Sequence, residues 1–252
     1  MGQVNILTTH ENKLSVTISV VTATYNASAC LPSLIESLRR QTDQDFEWVV
    51  ADGASRDGTL ELLESVKDIN VVISSQPDFG IYDGLNRAIQ LSSGEYYIVL
   101  GADDLAYPES IASFRRIALN QSPDLVSANI MANGRLCSMR RQWPWLYGGF
   151  AYVNSHAVGT LIKKSLHEKF GMYSRSYPLV ADQLFFKKVG DAGENIVPAD
   201  FIAGEYGVQG VSSSDVLGVL TENFRIQVET GENKVVQTFL FLLRIIKLFR
   251  KI

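Results

Sequence analysis

Three observations place this 252-residue chain in the α/β class, as an open, mostly parallel sheet flanked by helices. β-Branched apolar runs alternate with segments whose apolar residues recur at helical spacing. The connections between runs are too long for tight turns, as parallel neighbours require. Carboxylates gather directly after the runs, where open parallel sheets bind their ligands.

The elements follow in order. Thr17 to Val21 is a β-branched run, and "SACLPSLIESLRRQ" carries Leu31, Leu34, Ile35 and Leu38 at helical spacing. "FEWVVAD" then predicts a strand, "TLELLESVK" a helix, "NVVISS" a strand, "IYDGLNRAIQ" a helix and "YYIVLGADD" a further strand. After Pro108, "ESIASFRRIAL" predicts a helix and "PDLVSANIM" a strand. The regularity then fails: "RRQWPWLYGGFAYVNSHAVG" has no clear period and predicts a loop-rich second half, whose clustered aromatics are expected to fill core. "VADQLFFKKVG" reads as a short helix, and "ENIVPADFIAGEYGVQGVS" as short strands ending in a turn.

Composition narrows the class. The chain is 46% hydrophobic and 20% charged, as globular proteins are, with a net charge of −4, so it offers no basic field and no nucleic-acid partner is expected. Cys30 and Cys137 form neither a metal-ligand cluster nor a disulfide framework, which fits a reducing, cytoplasmic setting. "MGQVNILTTHENKL" lacks the basic region and apolar core of a secretory signal, and no apolar run reaches the ~18 residues that span a bilayer.

One sheet edge collects the candidate groups: Tyr25 and Asn26 end the first strand, Asp52 the second, Asp103 and Asp104 the fourth. "ADGASRDGT" taken alone reads as a turn and helix cap as readily as a site, with Asp57 suited to capping. "GADD" is poor turn chemistry, because adjacent carboxylates after an apolar strand repel and are costly to bury without a cation. Mg²⁺ or Mn²⁺ suits them, since both take oxygen ligands and bridge to phosphates. "TATYNAS" stands where a dinucleotide-binding GxGxxG would follow the first strand, no P-loop motif occurs, and the aspartate nucleophile of a haloacid-type phosphatase is missing. A nucleoside diphosphate held through a metal remains.

The pieces "ISVVTATYNAS", "LRRQTDQDFEWVVADGASRDGT", "QPDFGIYDGLNRAIQLSSGEYYIVLGADD", "HAVGTLIKKSLHEKFGMYS" with "VADQLFF", and "GVS" at Gly210 resemble, in order and spacing, the family 2 glycosyltransferases, most of all the nonprocessive enzymes of bacterial surface-polysaccharide assembly. The resemblance implies a GT-A fold: a Rossmann-like open sheet with a smaller acceptor-binding half. It implies an N-terminal extension at 1–15, a catalytic domain at 16–215 (nucleotide half 16–105, acceptor half 106–215) and a helical tail at 216–252. The activity implied is inverting transfer of one sugar from a nucleotide-diphosphate sugar, a UDP-sugar by preference, to a carbohydrate or lipid-linked glycan acceptor in O-antigen, capsule or exopolysaccharide biosynthesis.

Residue roles follow from the same resemblance. Thr24, Tyr25 and Asp52 would bind the nucleotide, Tyr25 by stacking on the base and Asp52 by accepting from a base N–H. Asp83 and Asn86 would lie beneath the diphosphate, or serve as a helix-start cap. Asp104 would ligate Mn²⁺ or Mg²⁺, with Asp103 also at the metal and nearer the ribose. Asp182 would be the catalytic base, and His156 would touch the acceptor or a phosphate, or be a structural histidine. Two departures stand out: Ala181-Asp182 replaces the family's Glu-Asp, and Ala-Asp-Asp replaces its Asp-x-Asp. The Gln-x-x-Arg-Trp motif of processive synthases is absent, which favours single-sugar transfer.

At the C-terminus, Arg244, Lys247 and Lys251 recur on one side of a predicted helix, with Ile245, Leu248, Phe249 and Ile252 on the other. Residues 238–252 are expected either to lie on an anionic membrane, making the enzyme peripheral on the inner face, or to pack on protein. Two other functions compete: a sugar nucleotidyltransferase, whose Gly-rich basic N-terminal loop is missing here, and a noncatalytic nucleotide-sugar-binding partner of an assembly complex.

Overall fold

The computed structural model describes residues 16–139, 143–154, 157–207 and 215–248. Four parallel strands, β1 (Ile18–Thr24), β2 (Phe46–Asp52), β3 (Val71–Ser75) and β4 (Tyr96–Val99), lie in the spatial order β3-β2-β1-β4. They are joined by α1 (Leu31–Arg39), α2 (Thr59–Ser65) and α3 (Ile81–Leu91). This is the alternation expected from the sequence. β1 shows its cause: Ile18 and Val20 pack in one layer with Leu31, Leu34, Leu38 and Trp48. Val21 packs in the other with Val49, Leu85, Ala88 and Ile89. With helices on both faces, the strand keeps a continuous apolar run. Its buried Thr22 is satisfied by the Trp48 indole N–H at 2.9 Å.

The second half adds β5 (Leu105–Ala106), α4 (Ser110–Gln121), β6 (Leu125–Ala132), β7 (Arg135–Cys137), α5 (Pro144–Tyr147), β8 (Thr160–Lys163), α6 (Leu166–Phe170), α7 (Ala181–Asp191), β9 (Ile196–Tyr206), α8 (Val216–Glu229) and α9 (Lys234–Leu248). The sheet continues β4-β8-β6-β9-β5, with β8 antiparallel to both neighbours, β6 parallel to β9, and β7 paired to β6.

Three sequence expectations are corrected. "IVPADFIAGEY" is one eleven-residue strand rather than several short ones. β6 templates β9 from Leu125↔Ile196 to Ala132↔Tyr206, and register shifts between Ser127 and Met131 absorb the irregularity that Pro198 and Gly204 announce. Gly204 is required because a Cβ there would collide with the Leu105 carbonyl where β5 pairs with β9. β4 ends at Val99, so Asp103 and Asp104 sit in a turn closed by the Asp104 N–H on the Gly101 carbonyl at 3.1 Å. The aromatics of the irregular segment do not all fill core: Trp143, Trp145 and Tyr147 are exposed.

The C-terminal helix also departs from expectation. Arg244 turns inward and donates to the Leu146 carbonyl, and Ile245 and Leu248 are half-buried with it. Phe241 packs on Phe224 of α8 with ring centroids 5.1 Å apart. The opposite side of α9 is apolar too. Lys251, Phe249 and Ile252 lie outside the described residues, and among those described no helix is long and apolar enough to cross a membrane.

Candidate active site

Parallel pairing in register brings Thr24 opposite Asp52 at the carboxyl ends of β1 and β2. Asp52 is fully buried and accepts from the Ser55 hydroxyl (2.5 Å) and amide (3.0 Å), the Ser75 hydroxyl (2.7 Å) and the Thr24 hydroxyl (3.1 Å). Burial alone would push its carboxyl up. The Ser55, Ser75 and Thr24 bonds outweigh burial and hold it below the usual carboxylate range, so it is ionised at neutral pH. These four donors nearly exhaust one carboxylate, and a base N–H reaching Asp52 has to share or displace one of them.

The neighbouring loops are laced together. Asn26 accepts from the Arg56 amide and donates its own N–H to Ser55, while Asp57 accepts from Ser28 and Thr59. The N-cap of α2 is Gly58, at φ 92°, so Asp57 ties loops one residue before the cap position. Asn26 (φ 49°) and Ala54 (φ 63°) adopt the left-handed backbone, which for Ala54 stores about 1–2 kcal/mol of strain. Tyr25 is 66% exposed and borders Gly53, where a Cβ would stand 3.3 Å from its ring and 2.9 Å from Asp78 Oδ2. Glycine therefore leaves a flat floor between an exposed aromatic face and a carboxylate.

Helix α3 starts at the same edge. Asp83, in its first turn, accepts from the Phe79 amide at 3.3 Å and pairs with Arg175, which is capping chemistry. Asn86 exchanges two bonds with the Tyr173 backbone, at 2.8 and 3.0 Å. Arg87 reaches under the sheet edge to the Asp52 carbonyl at 2.7 Å. Gly84 lets α3 approach β1, since a Cβ there would sit 3.0 Å from the Ala23 methyl.

The acidic pair follows β4. Asp104 is 3% exposed, and its oxygens accept the Gly101 amide at 2.7 Å and the Gly207 amide at 2.8 Å. Burial, reinforced by the neighbouring Asp103 charge, pushes its carboxyl up to about 7 despite those amides. The donors to Asp104 are both neutral backbone amides. Asp103 borders an open cavity of about 490 Å³ lined by Cys30, Ser33, Asn133, Tyr206 and Gly207. Among the described residues no three acidic, His or Cys side chains cage an ion. The donor set fits Mg²⁺ or Mn²⁺, which are held by one or two carboxylates and complete their shells with phosphate oxygens and water.

Asp182 opens α7. It is half-buried beside α3: the Tyr82 hydroxyl donates to Oδ1 at 2.7 Å and Gln183 donates to Oδ2 at 3.3 Å. Burial pushes the Asp182 carboxyl up, and the Tyr82 and Gln183 bonds partly offset it. Since α3 begins at the carboxyl edge of the sheet, the Tyr82 bond places Asp182 on the edge that holds Asp52 and the acidic pair. Behind it, Tyr173, Tyr97 and His167 form a buried hydrogen-bonded chain at 3.1 and 2.7 Å, with His167 kept neutral by burial. From α8, buried Glu222 accepts both the Leu179 and Val180 amides at 3.0 Å, fixing the lead into Asp182. His156 and Gly210 lie outside the described residues.

Sequence reasoning missed Tyr82, Gln183 and Glu222. Tyr82 stood in the quoted "GIYDGLN" beside Asp83, and Gln183 beside Asp182, whereas nothing local marked Glu222.

Comparison with known proteins identifies the family and the fold. A glycosyltransferase of PGL/p-HBAD biosynthesis from Mycobacterium tuberculosis is 34% identical over 120 residues, 45% of this chain and 46% of that one. A chondroitin synthase from Escherichia coli is 29% identical over 50% of this chain and 19% of its own length. This chain thus spans about half, or less, of the curated relatives it matches. Among solved structures, S. aureus TarS 1-349 in complex with UDP-GlcNAc superposes with a TM-score of 0.70 at 19% identity, over 90% of this chain and 70% of that one. The mannosyltransferase PcManGT from Pyrobaculum calidifontis, in complex with GDP-Man and Mn²⁺, gives 0.67 at 19% identity over 87% and 66%. At such identities these neighbours speak to fold, and the fold is GT-A. The family model for glycosyl transferase family 2 covers residues 19–176, from β1 through the acidic pair to the Tyr173 clamp. With more than half of its length matched to that model, the chain belongs to glycosyl transferase family 2.

Proposed function

We propose that the protein is an inverting, metal-dependent glycosyltransferase. It moves one sugar from a nucleotide-diphosphate sugar, UDP-linked by preference, to a carbohydrate on a lipid carrier, in bacterial surface-polysaccharide assembly at the cytoplasmic face of the membrane. The observation that carries this reading is Asp182: a half-buried carboxylate whose proton affinity is raised by desolvation, held by Tyr82 of α3.

In this reading the nucleotide lies on the edge formed by Thr24, Tyr25 and Asp52, with Tyr25 offering its exposed face to the base. Asp83 and Asn86 shape the α3 start beneath the diphosphate. Asp103 and Asp104 hold Mn²⁺ or Mg²⁺, which when bound neutralises charge on the departing diphosphate. Asp182 removes the acceptor hydroxyl proton as that oxygen bonds to the anomeric carbon. The bond from that carbon to the phosphate oxygen breaks, its electron pair leaves with the nucleoside diphosphate, and the anomeric configuration inverts.

The deciding experiment screens nucleotide sugars with Mn²⁺ for a rise in Tm, then follows release of nucleoside diphosphate on adding glycan-lipid acceptor. Asp182→Asn is expected to keep the Tm rise and lose transfer by about 10²–10⁴-fold. Asp104→Ala is expected to lose the Mn²⁺-dependent part of the Tm rise. Donor binding without turnover in the wild-type protein points to a noncatalytic partner.

A further inference from the structure

We propose that the outward face of α9 is a docking surface for an anionic lipid bilayer. The helix is apolar on both sides. Its inner face is covered: Gln237 donates to the Trp145 carbonyl at 2.6 Å, Arg244 donates to that of Leu146, and Phe241 lies on Phe224. On the opposite side Val235, Phe239, Leu242 and Ile246 recur at i, i+4, i+7 and i+11, with Val235 79% and Ile246 71% exposed. An apolar stripe of this regularity on a polar-surfaced protein marks a face that meets another apolar phase.

Charge selects the occupant. Of the five Lys or Arg in the sequence from Lys234 to Ile252, Arg244 turns inward, Lys234 and Lys247 are exposed on the described helix, and the segment carries no Asp or Glu. A second copy laid helix to helix would bring two such sets together with no counter-charge from either helix, whereas anionic headgroups supply it. The nearest acid before the helix, Glu232, is engaged by buried Lys187 at 2.9 Å. Exposed Trp143 and Trp145, stacked at 6.1 Å, lie at the start of α5, which Gln237 and Arg244 fasten to α9. Tryptophan favours the headgroup level of bilayers. Among the described residues no helix is long and apolar enough to cross, so α9 would lie along the interface.

The surface is not the one the sequence pattern picks out: Ile245 and Leu248 face protein, and the lipid-facing set is Val235, Phe239, Leu242 and Ile246. It deepens the peripheral placement proposed above but is tested without any transfer reaction. Flotation of the full chain is measured with vesicles of phosphatidylcholine alone and with about one-third phosphatidylglycerol added. The protein is expected to float with the anionic vesicles and much less with the neutral ones. The double variant Phe239→Ser, Ile246→Ser is expected to lose at least about tenfold in partitioning while keeping the wild-type Tm, because these side chains face solvent. Sedimentation equilibrium accompanies flotation. No partitioning by the wild-type chain, equal partitioning by the variant, or a wild-type dimer that the variant dissolves would each overturn the proposal.

Discussion

Replacing Tyr82 by Phe separates the base from the group that tunes it. One hydroxyl proton faces two acceptors, Asp182 Oδ1 at 2.7 Å and the Leu179 carbonyl at 3.2 Å, and the shorter contact is the charge-assisted one. Phe keeps the ring, which packs on Tyr173 at 5.5 Å, so the perturbation is the bond alone. A hydrogen bond to a charged group contributes about 1.5–3 kcal/mol, or roughly ten- to a hundredfold in the equilibrium it biases. The bond favours the carboxylate; its loss raises further a carboxyl that burial has already raised. Less of the base is then ionised at a given pH. Under the proposed mechanism, kcat/KM falls by about ten- to a hundredfold on the acid side of the profile, and the deficit closes as pH rises. Profiles for the two proteins with the same acid limb and a constant offset would refute the reasoning, showing that Tyr82 only supports packing.

Two further predictions concern stability. Glu222→Ala strips two charge-assisted bonds from buried amides and is expected to cost about 2–4 kcal/mol, seen as a Tm drop of about 10 °C; Glu222→Gln, which keeps an acceptor oxygen, is expected to recover more than half of it. Asp52 has a folded pKa below its unfolded value, so the unfolded state binds more protons between the two. Its stabilisation is complete above about pH 4 and is lost as pH falls through the folded value. Asp52→Asn should therefore flatten the acid limb of urea midpoints measured from about pH 6 to about pH 3.

Legibility in the sequence followed the range of the interactions involved. β1, β2 and β4 could be read because they are buried in an apolar layer on each side, which leaves continuous apolar runs, and the half-buried β3 because its β-branched run lies between two predicted helices. β9 could not, because its continuity past Pro198 comes from β6, some seventy residues away. Asp52 was found at the strand end that topology assigns it, whereas the acidic pair lies beyond its strand, in the turn after β4. Asp182 came only from family resemblance, and its partner Tyr82 looked like one more apolar position of an amphipathic helix, since the bond that gives it a role spans one hundred residues. The tail helix was recognised as amphipathic, and its Ile245 and Leu248 side packs on protein, one of the two readings held for it; Arg244, expected on the opposite side, turns inward as well, because both sides are apolar and the pattern could not place it.

The short ladder of β5 on β9 ends at Glu205, two residues before the amide that grips Asp104. One span of backbone therefore serves as both rail and clamp for the acidic pair. A one-residue slip of β9 would carry Gly207 out of alignment with Asp104, so the geometry of the acids is inherited from the longest strand among the described residues.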